Sequence, residues 1–253
     1  MGNKNLGLIQ SIVGAGLFAE SSETPGSGEY RFPVVTLSRQ FGAGGTEIAR
    51  LLAERLQVPL YDRELLHNII KVAKSDKHLM ERLDERVTNL WDDFVHAFLS
   101  KKGTNKEQYL RNLTRVLLGI LRSGGVIVGR GAHILLVRYP VLRVKITASA
   151  DTTIKRVSER LDIKKVKARA LIERTNMERD GFVDRLKKRY PSDKEEFDLV
   201  INTDLFDPPA AVELILLAMG KAGLAIAPPK VAVVENEPGV EGNIGLTMDS
   251  SEG

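Results

Sequence analysis

The chain contains no cysteine. Disulfides, thiolate metal sites and thiol nucleophiles are excluded together. It has a single tryptophan, and aromatics make up only 6% of its residues, so extended platforms for stacking bases are scarce. Long apolar runs are missing too: no stretch approaches the roughly 18 uninterrupted residues of a membrane-spanning helix. The apolar start over residues 6–18 is broken by Gln10, Ser11 and glycines, and only Lys4 precedes it. That is a poor match to a secretory signal. The opening MGNKNL lacks the hydroxyl residue that myristoylation requires at position six. These absences lead to the expectation of a cytoplasmic protein without a membrane partner.

What is present is ordinary for a globular protein: 253 residues, 43% of them hydrophobic and 28% charged. This length suits one large domain, or a core with extensions. The net charge of +4 is unevenly spread. Residues 235–253 hold five acids and no Lys or Arg, which leaves +9 for the remainder. Residues 155–189 alone carry thirteen Lys/Arg against six Asp/Glu, a surface suited to an anionic partner.

Composition divides the chain. Residues 1–32 end in a Ser/Gly/Pro/acid mixture and read as a flexible lead-in. Residues 227–253 are Pro/Gly-rich and acidic and read as a disordered tail. Between them, over 33–226, strand-like and helix-like patterns alternate. Apolar runs at 33–37, 126–128, 142–146 and 199–201, with a weaker one at 58–61, suit buried parallel strands. Helical periodicity appears at Ile48, Leu51, Leu52 and Leu56, again over residues 110–121, and again at Ala211, Leu214, Ile215 and Ala218. Such alternation predicts βαβ units and an α/β fold with helices on both faces of a parallel sheet. Residues 62–123 read as a helical block containing Trp91, with a loop at 101–107, placed to form one wall of a cleft.

The chemistry concentrates in VVTLSRQFGAGGTE, residues 34–47. A short apolar run, a glycine-rich turn and an amphipathic helix follow in the order of a phosphate-binding loop. Here too something is lacking. The usual pattern is G-x-x-x-x-G-K-[ST]; laid over it, Arg39 takes the first glycine, Gly44 the second, Gly45 the lysine and Thr46 the hydroxyl. Gly42, Ala43, Gly44, Gly45 and Thr46 can bring backbone amides to a phosphate, helped by the following helix N-terminus. Thr46 is placed to offer a hydroxyl to Mg²⁺. Arg39 can supply a planar cation where the lysine is missing, although a guanidinium fork is not equivalent to an ammonium point charge. The competing readings are a plain strand-to-helix turn, with Arg39 in a surface ion pair.

Three further features stand out. In VIVGRGAHILLVR, Arg130 sits between two glycines at the expected carboxyl end of a strand, facing a cleft. His133 follows on an apolar stretch and reads as structural rather than as a catalytic base. In IERTNMERD, Arg174 and Arg179 lie in the basic helical region, where arginines can close over a transferring group; a solvated helical face is the alternative. Lys155, Arg156 and Arg160 read as surface charges of the preceding helix. Asn202-Thr203-Asp204 follows the last strand, near where a base or ribose could lie.

Together, VTLSRQFGAGGTEIARLLAERL, VPLYDRELL, VIVGRGAHILL and DLVINTD make the stretch 32–219 resemble the cytidylate-kinase-like family, a branch of the P-loop nucleoside-monophosphate kinases. The resemblance implies a P-loop NTPase three-layer α/β fold with a five-stranded parallel sheet, a helical NMP-binding insert over 62–123 and a short lid over about 162–182. It implies transfer of the γ-phosphoryl group of ATP, with Mg²⁺, to a nucleoside monophosphate, with CMP or dCMP foremost. In that reading residues 42–46 cradle the donor phosphates and Asp62 and Arg63 begin the acceptor site. Arg130 holds the acceptor phosphate, and Arg174, Arg179 and Asp180 belong to the lid. The chain departs from true cytidylate kinases at Arg39, at Gly45 and at Gly131, where those enzymes carry glycine, lysine and aspartate.

Two rivals remain from the sequence. One is a non-catalytic nucleotide-binding regulatory protein on a kinase fold, favoured by the absent lysine; Thr46, Arg130 and the lid arginines favour the enzyme. The other is nucleic-acid binding through residues 155–189. The basic charge supports it, and the presence of Phe182 as the segment's only aromatic argues against it.

Overall fold

A computed structural model describes residues 32–75 and 105–224. The lead-in over 1–32 except Phe32, Trp91, residues 101–104 and the acidic tail over 227–253 lie outside the described residues, and residues 105–107, expected to be loop, open a helix.

Five strands form one all-parallel sheet: β1 (Val34–Arg39), β2 (Leu60–Tyr61), β3 (Gly125–Val128), β4 (Leu142–Thr147) and β5 (Leu199–Asn202). Their spatial order is β2-β3-β1-β4-β5. The apolar runs become strands because both faces of a parallel sheet are covered, so there is no polar alternation to maintain. Each expected strand is present. The weak run at 58–61 contributes only its last two residues, because Pro59 has no N–H to give to a ladder.

The helices are α1 (Gly45–Leu56), α2 (Arg63–Ser75), α3 (Asn105–Ser123), α4 (Ala132–Leu135), α5 (Ala150–Leu161), α6 (Lys165–Arg189) and α7 (Pro208–Lys221). Their starts follow local chemistry. Asp62 accepts from the Leu65 amide at 2.8 Å ahead of α2, Ser149 Oγ accepts from the Thr152 amide ahead of α5, and Asp207 accepts from the Ala210 amide ahead of α7. Each such cap stabilises its helix by about 1 kcal/mol.

The core has two layers. On one face Val35, Leu37, Val126, Val144 and Ile146 pack with Ile48 and Leu52 of α1 and Ile215 and Met219 of α7. On the other, Val34 and Ile127 pack with Leu66 and Ile69 of α2 and Leu113, Leu117 and Leu121 of α3. A smaller cluster of Ile154, Val157, Ala168 and Ile172 joins α5 to α6.

The topology also places the site. β1 is central, with β3 on one side and β4 on the other, so the chain winds away from it in both directions. Ligands of open α/β sheets bind beyond the carboxyl ends of strands at such a switch point. Arg39, Gly129 and Ala148, which end or follow those three strands, therefore share one edge.

Candidate functional site

Beyond β1 the chain turns through Gln40-Phe41-Gly42-Ala43-Gly44 and enters α1. Gly42 and Gly44 have φ of 89° and 78°. The turn is held from behind: the carbonyl of buried Ala43 accepts from Thr203 Oγ1 at 2.9 Å, and Gly42 lies against Thr153 and Val157 of α5. The amides of Gly42, Gly44, Gly45 and Thr46 have no acceptor among the described residues. Thr46 itself is exposed in the first helical turn. Four open N–H groups at the start of a twelve-residue helix form a nest for an anion.

Arg39 explains Gly45. A Cβ at position 45 would stand 2.7 Å from Arg39 Cβ and 3.0 Å from its Cγ. The arginine stem therefore crosses the volume in which a lysine at 45 would start. Its guanidinium continues over Gly129, where an added Cβ would meet Nη1 at 2.5 Å. The two departures from the usual loop are thus one arrangement: the cation enters from the strand, and the helix makes room for it.

Arg130 emerges from the same edge with φ of 56°, between Gly129 at 75° and Gly131 at 67°. A left-handed arginine costs about 1–2 kcal/mol, and such strain concentrates at functional sites. Gly131 has a steric reason as well, since a Cβ there would collide with Leu186 of α6. Position 131 is thus covered by a helix. The Arg130 guanidinium stands 5.8 Å from the Tyr109 ring, and its Nε is buried without a hydrogen-bond partner among the described residues.

Burial depresses the Arg39 pKa to about 10, with the neighbouring Arg179, Arg130 and Arg63 adding to the effect and Asp62 opposing it. Arg130 is lowered by burial and by Arg63. Arg179 is lowered by burial and by Arg63, against Asp180. Four arginines thus cluster against two carboxylates, exposed Asp180 and Asp62, the second partly engaged in capping α2. Such a site gains when an anion enters it. Arg174 does not join this group. It lies five residues before Arg179, about 140° round the helix at 100° per residue, and is exposed, as is Asp180.

Some contributing residues, Asn176 and Phe41 among them, lie inside the motifs without having been singled out from the sequence. Asn176 of α6 accepts from the Phe41 amide at 2.9 Å, and Arg179, one turn on, donates to the Arg39 carbonyl at 3.0 Å. Phe41 lies 5.4 Å from the Arg160 guanidinium and 5.6 Å from that of Arg179. The expectation that Arg156 is a plain surface charge needs correction, while Arg160 is exposed as expected. Arg156 donates to Thr203 Oγ1 and to the Thr203 carbonyl, both at 2.9 Å, and its Nη1 comes near Gly44. The i, i+4 spacing of Arg156 and Arg160 was the available signal; which way that face pointed was not.

His133 is buried, with Nδ1 at 3.1 Å from Ser38 Oγ and Nε2 at 3.2 Å from Glu196 Oε1. It stacks on Phe197. Burial lowers its pKa to about 4 despite Glu196, so the ring is neutral near pH 7. A neutral ring beside a carboxylate donates from Nε2, which leaves Nδ1 to accept from Ser38. The structural reading of His133 fits this arrangement.

A central-strand switch point, an anion nest and converging arginines define a kinase-like P-loop α/β protein. The model of the cytidylate kinase-like family matches residues 34–205, and the chain belongs to that family. An uncharacterized protein from Eubacterium ventriosum ATCC 27560 shares the fold, with a TM-score of 0.56 and 23% identity over 75% of this chain and 98% of that one. Shikimate kinase from Bacteroides thetaiotaomicron aligns at a TM-score of 0.43 and 15% identity over 74% and 98% of the two chains. A sugar kinase from Janibacter sp. HTCC2649 aligns at 0.41 and 13% over 77% and 98%. The comparison with curated proteins gives no match. Among the described residues no helix is long and apolar enough to cross a membrane.

Proposed function

We propose that this protein transfers the γ-phosphoryl group of ATP to a nucleoside monophosphate, with CMP and dCMP as first candidates. The observation that carries the proposal is the Arg39 side chain lying over Gly45, which returns a cation to a loop that lacks its lysine. The open amides of Gly42, Gly44, Gly45 and Thr46 receive donor phosphate. Arg156 and the Thr203 turn lie beside Gly44, at the end of the loop where the rest of a donor nucleotide would extend. Arg130 and Arg63 stand on the β3 and α2 side and receive the acceptor phosphate, and Asp62 acts on Arg39. Arg179 of α6 spans the two.

Phosphoryl transfer needs positioning and charge neutralisation rather than a covalent intermediate. Arg39 and Arg179 are placed to follow charge as it spreads over the transferring group. The unpartnered Arg130 Nε offers a buried donor to an anion. Mg²⁺ would be held by the phosphates, water and Thr46, and it supplies charge neutralisation between donor oxygens. The residues fit that ion: Thr46 gives a hard, exposed oxygen, and Mg²⁺ takes much of its shell from phosphate and water rather than from a protein cage. In this reading residues 62–123 form the acceptor wall, residues about 162–182 the lid, and Arg174 a peripheral lid charge.

The test is ADP release with MgATP and a panel of CMP, dCMP, UMP, AMP and GMP, with ATP-binding calorimetry alongside. Turnover with a pyrimidine monophosphate is expected. Arg130→Ala should then raise the acceptor KM far more than the ATP KM, and equal changes would remove it from the acceptor side. Tight ATP binding with no turnover on any acceptor would favour the non-catalytic regulatory reading, which the missing lysine supports.

A further inference from the structure

A second cavity lies on the other side of the phosphate loop, between α5, α6 and the end of β4. Its volume is about 170 Å³. The cavity is open to solvent on one side, and its enclosed part has room for a single six-membered ring. It is well below the roughly 300–1,000 Å³ of pockets that take larger ligands. None of the converging arginines lines it.

Its polar lining is set by two carboxamides, Gln40 and Asn176. Gln40 Oε1 accepts from the Ala148 amide at 3.1 Å, and Asn176 Oδ1 accepts from the Phe41 amide at 2.9 Å. Because backbone N–H groups hold both oxygens, the orientation of each amide is fixed. Each therefore keeps an NH₂ group as its remaining polar function, and neither NH₂ has a hydrogen-bond partner among the described residues. The Thr153 hydroxyl in the same lining is already donated to carbonyls within and just before α5. Ala148, Ile154 and Ile172 give apolar walls, while Arg169 and Glu173, one turn apart on α6, bring opposite charges. The lining thus offers oriented donors, flat apolar sides and no net charge.

We propose that this cavity is a binding site for a neutral, planar, single-ring heterocycle bearing carbonyl acceptors, the chemistry of a free pyrimidine base. A ligand here bonds to Gln40 of the loop and Asn176 of α6 together. It thereby ties the helix to the loop, through the residue that also holds the Phe41 amide. The site acts as an effector pocket and does not depend on the kinase reading.

The isosteric changes Gln40→Glu and Asn176→Asp test the idea. Each retains the oxygen that accepts the backbone amide, turns the NH₂ donor into an acceptor oxygen and adds a negative charge. Cytosine and uracil, with benzoate as an anionic control, would be titrated into the full-length protein. The readouts are calorimetry and the ¹⁵N side-chain amide signals of Gln40 and Asn176. Expected results are saturable shifts of both signals with at least one base, none with benzoate, and affinity at least tenfold weaker in each variant. Ala150→Trp, at an exposed position that borders the cavity, should block binding while the melting temperature confirms folding. Arg130→Ala should leave base binding unchanged. The proposal fails if neither base shifts these signals at millimolar concentration. It also fails if both isosteric variants bind like the parent, or if Arg130→Ala abolishes binding, which would place the base in the arginine site. A kinase that turns over normally yet shows no such shifts would refute this site alone.

Discussion

Position 45 is glycine because position 39 is arginine, and the pair behaves as one unit. Gly45→Ala places a methyl 2.7 Å from Arg39 Cβ, so it should cost about 1–3 kcal/mol by overpacking and misplace the guanidinium. Arg39→Ala removes only the Cγ contact at 3.0 Å and keeps the Cβ, whereas Arg39→Gly removes both, so Gly45→Ala should become nearly neutral in the Arg39→Gly background. A double-mutant cycle read by thermal melting measures this coupling; simple additivity would refute the contact. Arg39→Ala alone should lower turnover by orders of magnitude. It should also leave the melting temperature unchanged or raised, because burial and like charges disfavour the Arg39 cation in the fold. Loss of function with gain of stability is the signature of a functional charge. From sequence the missing lysine and the nearby arginine were both visible. Their steric exchange was not, since it depends on where a side chain from a strand crosses the turn of a helix.

At the scale of elements, α6 is clasped to the loop through Asn176, Arg179 and Phe41. The helix is long and strongly basic, with Ala168, Ile172 and Leu186 as its buried residues. Little apolar area holds it down, so the polar clasp matters. Asn176→Ala leaves the Phe41 amide without its acceptor at a cost of about 1–3 kcal/mol. The exchange rate of that amide should rise tenfold or more in hydrogen-exchange measurements, while amides of β1 remain protected. Phe41→Leu removes the ring between Arg160 and Arg179, where each cation–π contact contributes about 0.5–2 kcal/mol. It should raise the ATP KM more than it lowers kcat; an unchanged KM would detach the clasp from the donor side. The basic character of residues 155–189 was legible in the sequence. The face of α5 that meets the loop was not, because helical periodicity gives an angle and not a neighbour.

At the scale of the whole molecule, the segment between α6 and β5 is tied to the sheet by two polar links. Arg143 of β4 is buried and pairs with Asp198, and it also donates to the Glu195 carbonyl. His133 bridges Ser38 of β1 to Glu196, which in turn pairs with Lys187 of α6. Arg143→Ala should destabilise by about 1–3 kcal/mol, since the Glu195 carbonyl and the exposed Asp198 lose the guanidinium while Asp198 keeps the backbone amide of position 143 as a donor. The His133 link predicts an acid limb. Its pKa is about 4 in the fold against about 6.5 when unfolded, so the unfolded state binds the extra proton first. Stability is fully present above pH 6.5, falls as pH drops towards 4 and then levels. The total loss is on the order of 3 kcal/mol. The lowered pKa of Glu196 acts in the same direction at its lower range. Melting temperature followed from pH 7.5 to 4 should show this slope in the parent and a shallower one in His133→Gln. Equal slopes would remove His133 from the acid response.

The sequence by itself determined the strands, their parallel character, the phosphate-type loop and the family, because these rest on local periodicity and on contiguous motifs. Val126–Val128 and Leu142–Ile146 announce buried strands whatever lies beside them. SRQFGAGG and GRGA announce glycine-rich turns at strand ends. The tertiary structure alone decided that Arg39 fills the room left by Gly45, that Leu186 covers Gly131, and that Arg156 turns to the Thr203 corner. It also decided that Asn176 closes on the loop while Arg174 faces solvent. Each of these joins residues from separate elements. The sheet order β2-β3-β1-β4-β5 brings them to one edge, and side-chain volume and direction at that edge settle which cation reaches the site.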